Sequence, residues 1–153
     1  STQYGTKSEQ SALDLYAQQT EQDVKKHHTM LNKKINDEIT IRGKIDGIIK
    51  YDDNTCKVIE IKNRTRHLFN EVKEYENIQV QLYLNMLNSK NADLVEHYKG
   101  NLNISPIEYD ATLYNEIKEL LTRFDDKLSQ IIDDKDLQFE YFNSPDRSQF
   151  ILF

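Results

Sequence analysis

The chain has 153 residues, of which 37% are hydrophobic and 30% are charged, and its formal net charge is −6. This length suits one domain, residues 1–153, with a modest core and much solvated surface. The acidic balance is not that of a generic nucleic-acid binder. A single cysteine, Cys56, excludes an intrachain disulfide and a cysteine-only zinc site. No apolar run approaches transmembrane length, so we expect no membrane partner. An intracellular location is a separate expectation.

Apolar spacing in the N-terminal part predicts a helix from Ser8 to about Met30. The basic connector that follows, Lys25 to Asn36, continues as helix or opens into a strand. Glu38 to Tyr51 is rich in Ile and Thr with alternating polarity, which predicts a strand. After a polar turn, Cys56 to Asn63 alternates again, so the two segments are expected to form a β-hairpin.

The turn position sets which residues of this hairpin face each other. If the turn centres near Asp53, Asp46 lies roughly opposite Glu60, with Cβ atoms about 4.5–5.5 Å apart. Period-two alternation then sorts the side chains into two faces. The apolar face carries Ile41, Ile45, Ile49, Ile59 and Ile61, and the opposite face carries Lys44, Asp46, Glu60 and Lys62.

Two carboxylates and a lysine on one sheet face are a plausible Mg²⁺ site, because hard cations prefer oxygen ligands. The alternative is a solvated face with an ordinary cross-strand ion pair. Ile48 and Val58 also fall on the charged face, which indicates that this face is covered. Charges under such a cover need a partner or a metal.

The remaining chain alternates between helical and strand patterns. A helix is predicted from about Asn70 to Leu87, with Gln79 and Tyr83 one turn apart. Two strands, Asp93 to Tyr98 and Ile104 to Tyr109, follow it, and Asp110 caps an amphipathic helix that continues to Ile131. The apolar end, Phe150 to Phe153, is expected to be buried or docked. This order predicts an α/β fold with a mixed central β-sheet flanked by helices.

These motifs resemble those of the PD-(D/E)xK nuclease superfamily, in its RecB-like and lambda-exonuclease-like branch, which includes mitochondrial genome-maintenance exonucleases. That branch shows Gly-x-x-Asp, Glu/Asp-x-Lys and Gln-x-x-x-Tyr in this order. The matching segments here are Gly43 to Asp46, Glu60 to Lys62 and Gln79 to Tyr83. The resemblance implies a restriction-endonuclease-like core with an N-terminal helical part (1–36), a catalytic hairpin and helix (38–88) and a completing part (92–153).

The resemblance also implies roles for individual residues. Asp46 and Glu60 would bind the metal together with the backbone carbonyl of Ile61, and Glu9 would add a ligand, directly or through water. Lys62 would orient or deprotonate the attacking water, or stabilise developing negative charge. Gln79 would orient a ligand or the scissile phosphate.

Nucleic-acid contacts are expected from Lys44, Arg64 and Arg66, the last two in the loop that leaves the catalytic strand. Tyr83 is expected to contact DNA or to pack beneath the site.

The resulting hypothesis is a Mg²⁺- or Mn²⁺-dependent nuclease that hydrolyses DNA, more in keeping with an exonuclease of repair, recombination or replication. Three alternatives remain open at this point. They are an endonuclease that acts on DNA or RNA, a non-catalytic nucleic-acid-binding module with the same fold, and a subunit of an oligomer or a larger repair or replication assembly.

Overall fold

A computed structural model describes residues 3–27, 29–35, 40–123, 139–142 and 149–152. These residues form two compact units, and each unit combines segments from several parts of the chain. The predicted assignment of one nuclease domain over residues 1–153 stays a prediction. Among the described residues, no helix is both long and apolar enough to cross a bilayer.

The first unit is a five-stranded mixed sheet with one helix. The sheet order is β1-β4-β5-β6-β7, in which only β5 and β6 run parallel. Its elements are α1 (Gln3–Thr20), β1 (Lys25–Lys26), β4 (Gly47–Lys50), β5 (Cys56–Asn63), β6 (Asn91–Tyr98) and β7 (Asn101–Glu108). The predicted α/β class with a mixed sheet is therefore confirmed.

Helix α1 packs on one face of this sheet because Ala12, Leu13 and Tyr16 recur at helical spacing and are all buried. They contact the side chains that β4, β5 and β6 direct to that face, which are Ile49, Ile59, Ile61 and Val95. The helix ends at Thr20 and not near Met30, as the sequence pattern had predicted. Glu21 adopts a left-handed conformation (φ 55°), which stops the helix and lets the chain turn into β1.

The second unit contains a four-stranded sheet, in the order β2-β3-β9-β8, and two helices. Its elements are β2 (Leu31–Lys34), β3 (Thr40–Gly43), α2 (Glu74–Leu87), α3 (Ala111–Arg123), β8 (Phe139–Phe142) and β9 (Gln149–Leu152). Helices α2 and α3 supply most of its core, through Ile78, Leu82, Tyr114, Ile117 and Leu121. The C-terminal segment pairs as β9 with β3, in parallel.

The predicted continuous strand from Glu38 to Tyr51 is wrong. Among the described residues it is two strands, β3 and β4, which belong to different sheets and are separated by residues 44–46. As a result, Ile41 packs in the core of the second unit, whereas Ile49 packs in that of the first. The prediction that these residues share one face therefore fails, although Ile49, Ile59 and Ile61 do share theirs.

The later elements are close to their predicted positions. Helix α2 begins at Glu74, four residues after the predicted start, because Glu76 accepts a hydrogen bond from the N–H of Lys73 and caps the first turn (3.1 Å). Strands β6 and β7 are joined by Lys99 and Gly100, both with positive φ, as a tight two-residue hairpin turn requires. Asp110 caps α3 by accepting from the N–H of Leu113 (3.0 Å). The predicted continuation of α3 to Ile131 lies outside the described residues.

A buried hydrogen bond between Tyr16 and Asp93 joins α1 to the sheet. The buried hydroxyl of Tyr16 donates to Oδ2 of Asp93 on β6 (2.6 Å), and Nζ of Lys57 lies 3.4 Å from the same oxygen. Tyr16→Phe removes the donor and leaves a buried carboxylate less well satisfied. We expect it to lower the free energy of unfolding by roughly 1–3 kcal/mol, measured by urea denaturation.

Tyr51→Phe serves as the matched control, because Tyr51 is 41% exposed. Its effect should stay within about 0.5 kcal/mol. Equal stabilities of Tyr16→Phe and the wild-type protein would show that the bond to Asp93 does not fasten the helix.

Candidate active site

The hairpin of β4 and β5 positions the central acidic and basic groups. Its register pairs Gly47 with Ile59 and Ile48 with Val58, so Asp46, directly before β4, follows on beside Glu60. This agrees with the predicted opposition of the two carboxylates. Ile48 and Val58 are both buried, which confirms that the charged face of the hairpin is covered.

Glu60 and Lys62 lie two residues apart on this covered face. Their side chains are each about 6% exposed, and Nζ of Lys62 is 3.7 Å from Oε1 of Glu60. Oε2 of Glu60 is buried and has no hydrogen-bond partner among the described residues. An ionised carboxylate in such a place is costly unless a further group binds it.

Asp46 lies where β4 has not yet begun, so its side chain reaches the neighbouring strand. Its Oδ2 accepts a hydrogen bond from the backbone N–H of Ile61 (2.7 Å). In an antiparallel ladder the N–H and C=O of one residue point to the same side. The carbonyl of Ile61 therefore points toward Asp46, as the predicted role in metal binding requires.

Electrostatics couple these carboxyl groups. Burial raises the pKa of Glu60 to about 7, although Lys62 and a hydrogen bond with Asp46 oppose the rise. Burial, and then the charges of Glu60 and Glu9, raise the pKa of Asp46 well above its usual range. Glu9, on α1, is hydrogen-bonded to Asp46 and so belongs to the same cluster. Without a cation, burial favours the protonated form of both carboxyl groups.

The residues present fit a divalent cation of the Mg²⁺ type. Such an ion takes one or two carboxylates and completes its coordination with water and phosphate oxygens. Asp46 and Glu60 supply the carboxylates, and the partnerless Oε2 of Glu60 supplies an oxygen for it. Within the described ranges, no group of three or more His, Cys, Asp or Glu side chains could hold a metal. A direct ligand role for Glu9 therefore gains no support, and its role through water stays a prediction.

Gln79 and Tyr83 lie on α2 in the second unit. Both side chains are buried, and Nε2 of Gln79 donates to the hydroxyl of Tyr83 (3.2 Å). Because the Tyr83 side chain is fully buried, it packs beneath the surface and cannot contact DNA in this conformation. The DNA-contact alternative for Tyr83 is thus corrected, while the predicted role of Gln79 stays a prediction.

The ring of Tyr83 explains the glycine of the Gly-x-x-Asp motif. A Cβ atom on Gly43 would lie 2.4 Å from Cε1 and 3.3 Å from Cδ1 of Tyr83. We expect Gly43→Ala to lower the free energy of unfolding by about 1–3 kcal/mol, because the buried ring has little room to move. Urea denaturation measures the change.

A compensating variant tests the cause of that loss. Tyr83→Leu in the Gly43→Ala background removes the ring and should cost less than the sum of the two single changes. Additive losses would place the effect of Gly43→Ala elsewhere.

The predicted basic contacts separate into two kinds. Lys44 and Arg66 are exposed, as a phosphate contact requires. Arg64 is buried, its Nε lies 2.7 Å from Oε2 of Glu96, and its guanidinium stacks 3.9 Å from the ring centroid of Phe69. The prediction that Arg64 grips the nucleic-acid backbone is therefore wrong, because its charge is already neutralised inside the protein.

Glu96 is the residue that the motifs missed. Its carboxylate accepts four hydrogen bonds, from Arg64, from the N–H groups of Phe69 and Asn70, and from Asn103. Burial alone would raise the pKa of Glu96, but these hydrogen bonds outweigh it and lower the pKa. The available sequence signal was that an acidic residue, Glu96, directly follows the apolar pair Leu94 and Val95 in a predicted strand.

Comparisons with known proteins identify a family and solved structures of similar fold. The YqaJ-like viral recombinase domain matches residues 1–90, which contain Glu9 and all three motifs. No curated protein matches the sequence at a significant level.

Two solved structures share the fold. An alkaline exonuclease (LHK-Exo) from Laribacter hongkongensis superimposes with a TM-score of 0.63, at 21% identity, over 82% of this chain and 68% of that one. The structure of SSO0001 superimposes with a TM-score of 0.58, at 18% identity, over 80% of this chain. The chain spans 59% of the length of SSO0001.

These matches confirm the predicted resemblance to lambda-exonuclease-like nucleases and the predicted nuclease fold. Nucleases of that type generally use divalent metal ions. Because the family model covers more than half of the sequence, the chain belongs to the YqaJ-like viral recombinase domain family.

Proposed function

We propose that this chain hydrolyses DNA phosphodiester bonds as a Mg²⁺- or Mn²⁺-dependent exonuclease in recombination or repair, inside the cell. The observation that carries the proposal is the covered sheet face on which Glu60 and Lys62 are buried together beside Asp46. Oε2 of Glu60 has no protein partner among the described residues, which is the condition expected of a cation ligand. Membership of the YqaJ-like family supports DNA as the substrate.

In this proposal, each residue has a distinct task. Asp46 and Glu60 would hold the cation, and Asp46 is itself oriented by the N–H of Ile61. A bound divalent cation supplies an activated water and neutralises charge on the phosphate. Lys62 orients that water or donates to the oxygen on which negative charge develops. Its burial strengthens either interaction, because water does not screen it there.

The covered position of the site also limits the conditions under which it works. The cation must compete with protons at Asp46 and Glu60, because burial raises the pKa of both carboxyl groups. Metal affinity, and with it cleavage, should therefore rise as the pH passes through about 7.

The direct test is cleavage of end-labelled DNA by the purified protein with Mg²⁺, with Mn²⁺ or with EDTA. Linear and circular molecules, both single- and double-stranded, are compared. Metal-dependent loss of linear DNA, with circles left intact, supports the exonuclease. Lys62→Met is run beside the wild-type protein, so that activity from a contaminating nuclease is recognised.

Other outcomes overturn parts of the proposal. Cutting of circles would make the protein an endonuclease, and cleavage of RNA alone would change the substrate. Binding of DNA without cleavage under any metal condition would support a non-catalytic binding module.

A further inference from the structure

Glu96 lies next to the catalytic lysine on the sheet. In the parallel pairing of β5 and β6, Glu96 is in register with Lys62, so both side chains project from the same face. Glu96 is completely buried. A buried carboxylate is tolerated only where hydrogen bonds replace its lost water. The groups that donate hydrogen bonds to Glu96 therefore show which segment of the chain this carboxylate holds in place.

Those partners define one loop, residues 64–70, which follows the catalytic strand. Nε of Arg64 lies 2.7 Å from Glu96 at the start of the loop. The N–H groups of Phe69 and Asn70 donate to the same carboxylate at its end, at 2.7 and 2.9 Å. Asn103, on β7, completes the set at 3.0 Å. One carboxylate thus ties both ends of the loop to the sheet.

Three further contacts hold the loop in place. The N–H of Arg64 donates to the carbonyl of His97 on β6 (2.9 Å), and the guanidinium of Arg64 stacks on the ring of Phe69. His67 packs edge-on against the ring of Phe69, with centroids 5.3 Å apart. Between these anchors, Thr65, Arg66 and His67 are exposed. The loop therefore holds its exposed tip in a defined conformation.

We propose that the loop of residues 64–70 is a preformed contact for the phosphate backbone, in which Arg66 binds a phosphate and Glu96 is the positioning residue. This inference rests on the proposed nuclease function. Arg66 follows Lys62 by four residues, which places the two Cα atoms within roughly 14 Å. The phosphate that Arg66 contacts lies within a few nucleotides of the bond that is cleaved.

A preformed loop has a physical advantage. A flexible arginine must lose backbone and side-chain freedom when it binds, and that loss reduces affinity. Glu96 orders the loop during folding, so the loop does not lose conformational freedom a second time when it binds DNA. The contact also carries no sequence information, as suits an enzyme that must move along any strand.

The test measures DNA affinity and its dependence on salt, without metal, by fluorescence anisotropy of a labelled oligonucleotide. Wild-type protein is compared with Arg66→Ala, Glu96→Gln and the double variant. Arg66→Ala should weaken binding several-fold and reduce the slope of log K against log[salt] by about 1. Glu96→Gln should do the same, and the double variant should bind no more weakly than Arg66→Ala. Lys118→Ala, which removes an exposed lysine on α3, is the matched control.

A purely structural role for Glu96 gives a different result. In that case Glu96→Gln would lower stability but leave the salt slope of DNA binding unchanged. Its effect on affinity would add to that of Arg66→Ala in the double variant, and such additivity would overturn the proposal. If Glu96→Gln does not fold, Asn103→Ala removes only one of the four hydrogen bonds and should show the same coupling with a smaller loss. An unchanged salt slope in Arg66→Ala overturns the proposed contact between the loop and a phosphate, but it does not contradict the nuclease function. Failure of the wild-type protein to bind any DNA overturns the nuclease proposal itself.

Discussion

Lys62→Met should reduce DNA cleavage by about 10²–10³-fold while DNA binding stays within a few-fold of the wild-type value. The lysine is buried beside Glu60, so its ammonium group acts at short range with little screening. Methionine keeps most of the apolar stem and therefore most of the packing. Single-turnover cleavage of end-labelled linear DNA, with Mg²⁺ or Mn²⁺ in excess, measures the effect.

A matched variant separates loss of chemistry from loss of charge. Lys118→Met removes one exposed lysine from α3 and should leave the cleavage rate unchanged. Cleavage by Lys62→Met within about three-fold of the wild-type rate would contradict a catalytic role. Loss of binding in parallel with cleavage would make Lys62 a binding residue.

The stability of the metal-free protein should fall by about 3 kcal/mol or more between pH 4.5 and about 7, and Glu60→Gln should make that fall smaller. In the folded protein, burial raises the pKa of Glu60 from its ordinary value of 4.5 to about 7. Between these two values the folded state keeps a proton that the unfolded state has lost. The free energy of unfolding therefore decreases as pH rises through this window, and the raised pKa of Asp46 acts in the same direction.

Urea denaturation at a series of pH values, in EDTA, measures this dependence. The slope is the readout, since Glu60→Gln also alters the interaction with Lys62 and shifts stability at every pH. Mg²⁺ should restore stability to the wild-type protein above pH 7 and have little effect on Glu60→Gln, because the ligand binds only the folded state. Glu116→Gln, on the exposed side of α3, is the control and should follow the wild-type curve. If the free energy of unfolding of the wild-type protein does not change with pH in this window, the raised pKa of the buried Glu60 carboxyl group is contradicted.

The hairpin of β4 and β5 was predictable because its pattern is local. A turn and period-two alternation are enough to place Asp46 beside Glu60. The apolar residues Ile48 and Val58 on the same face indicated that this face is covered. The break at residues 44–46 was not predictable from that pattern. Alternation continues through the break, and only pairing with β2 and β9 shows that β3 belongs to another sheet.

The misassigned role of Arg64 has a similar cause. Its neighbours in sequence are polar and basic, so the segment looks like a solvated loop that binds phosphate. Its partner, Glu96, is 32 residues away and reaches it only through the parallel pairing of β5 with β6. Contacts between distant segments override local composition in this way wherever a charge is buried.

The contact between Gly43 and the ring of Tyr83 also has a consequence for how such sequences diverge. The two positions are 40 residues apart, yet a Cβ at the first occupies the space that the ring fills at the second. Mutations at one position are therefore filtered by the residue at the other. A lineage can exchange the glycine only after a smaller residue has replaced Tyr83. Substitutions at the two positions should therefore be correlated among related sequences, with the one at position 83 coming first.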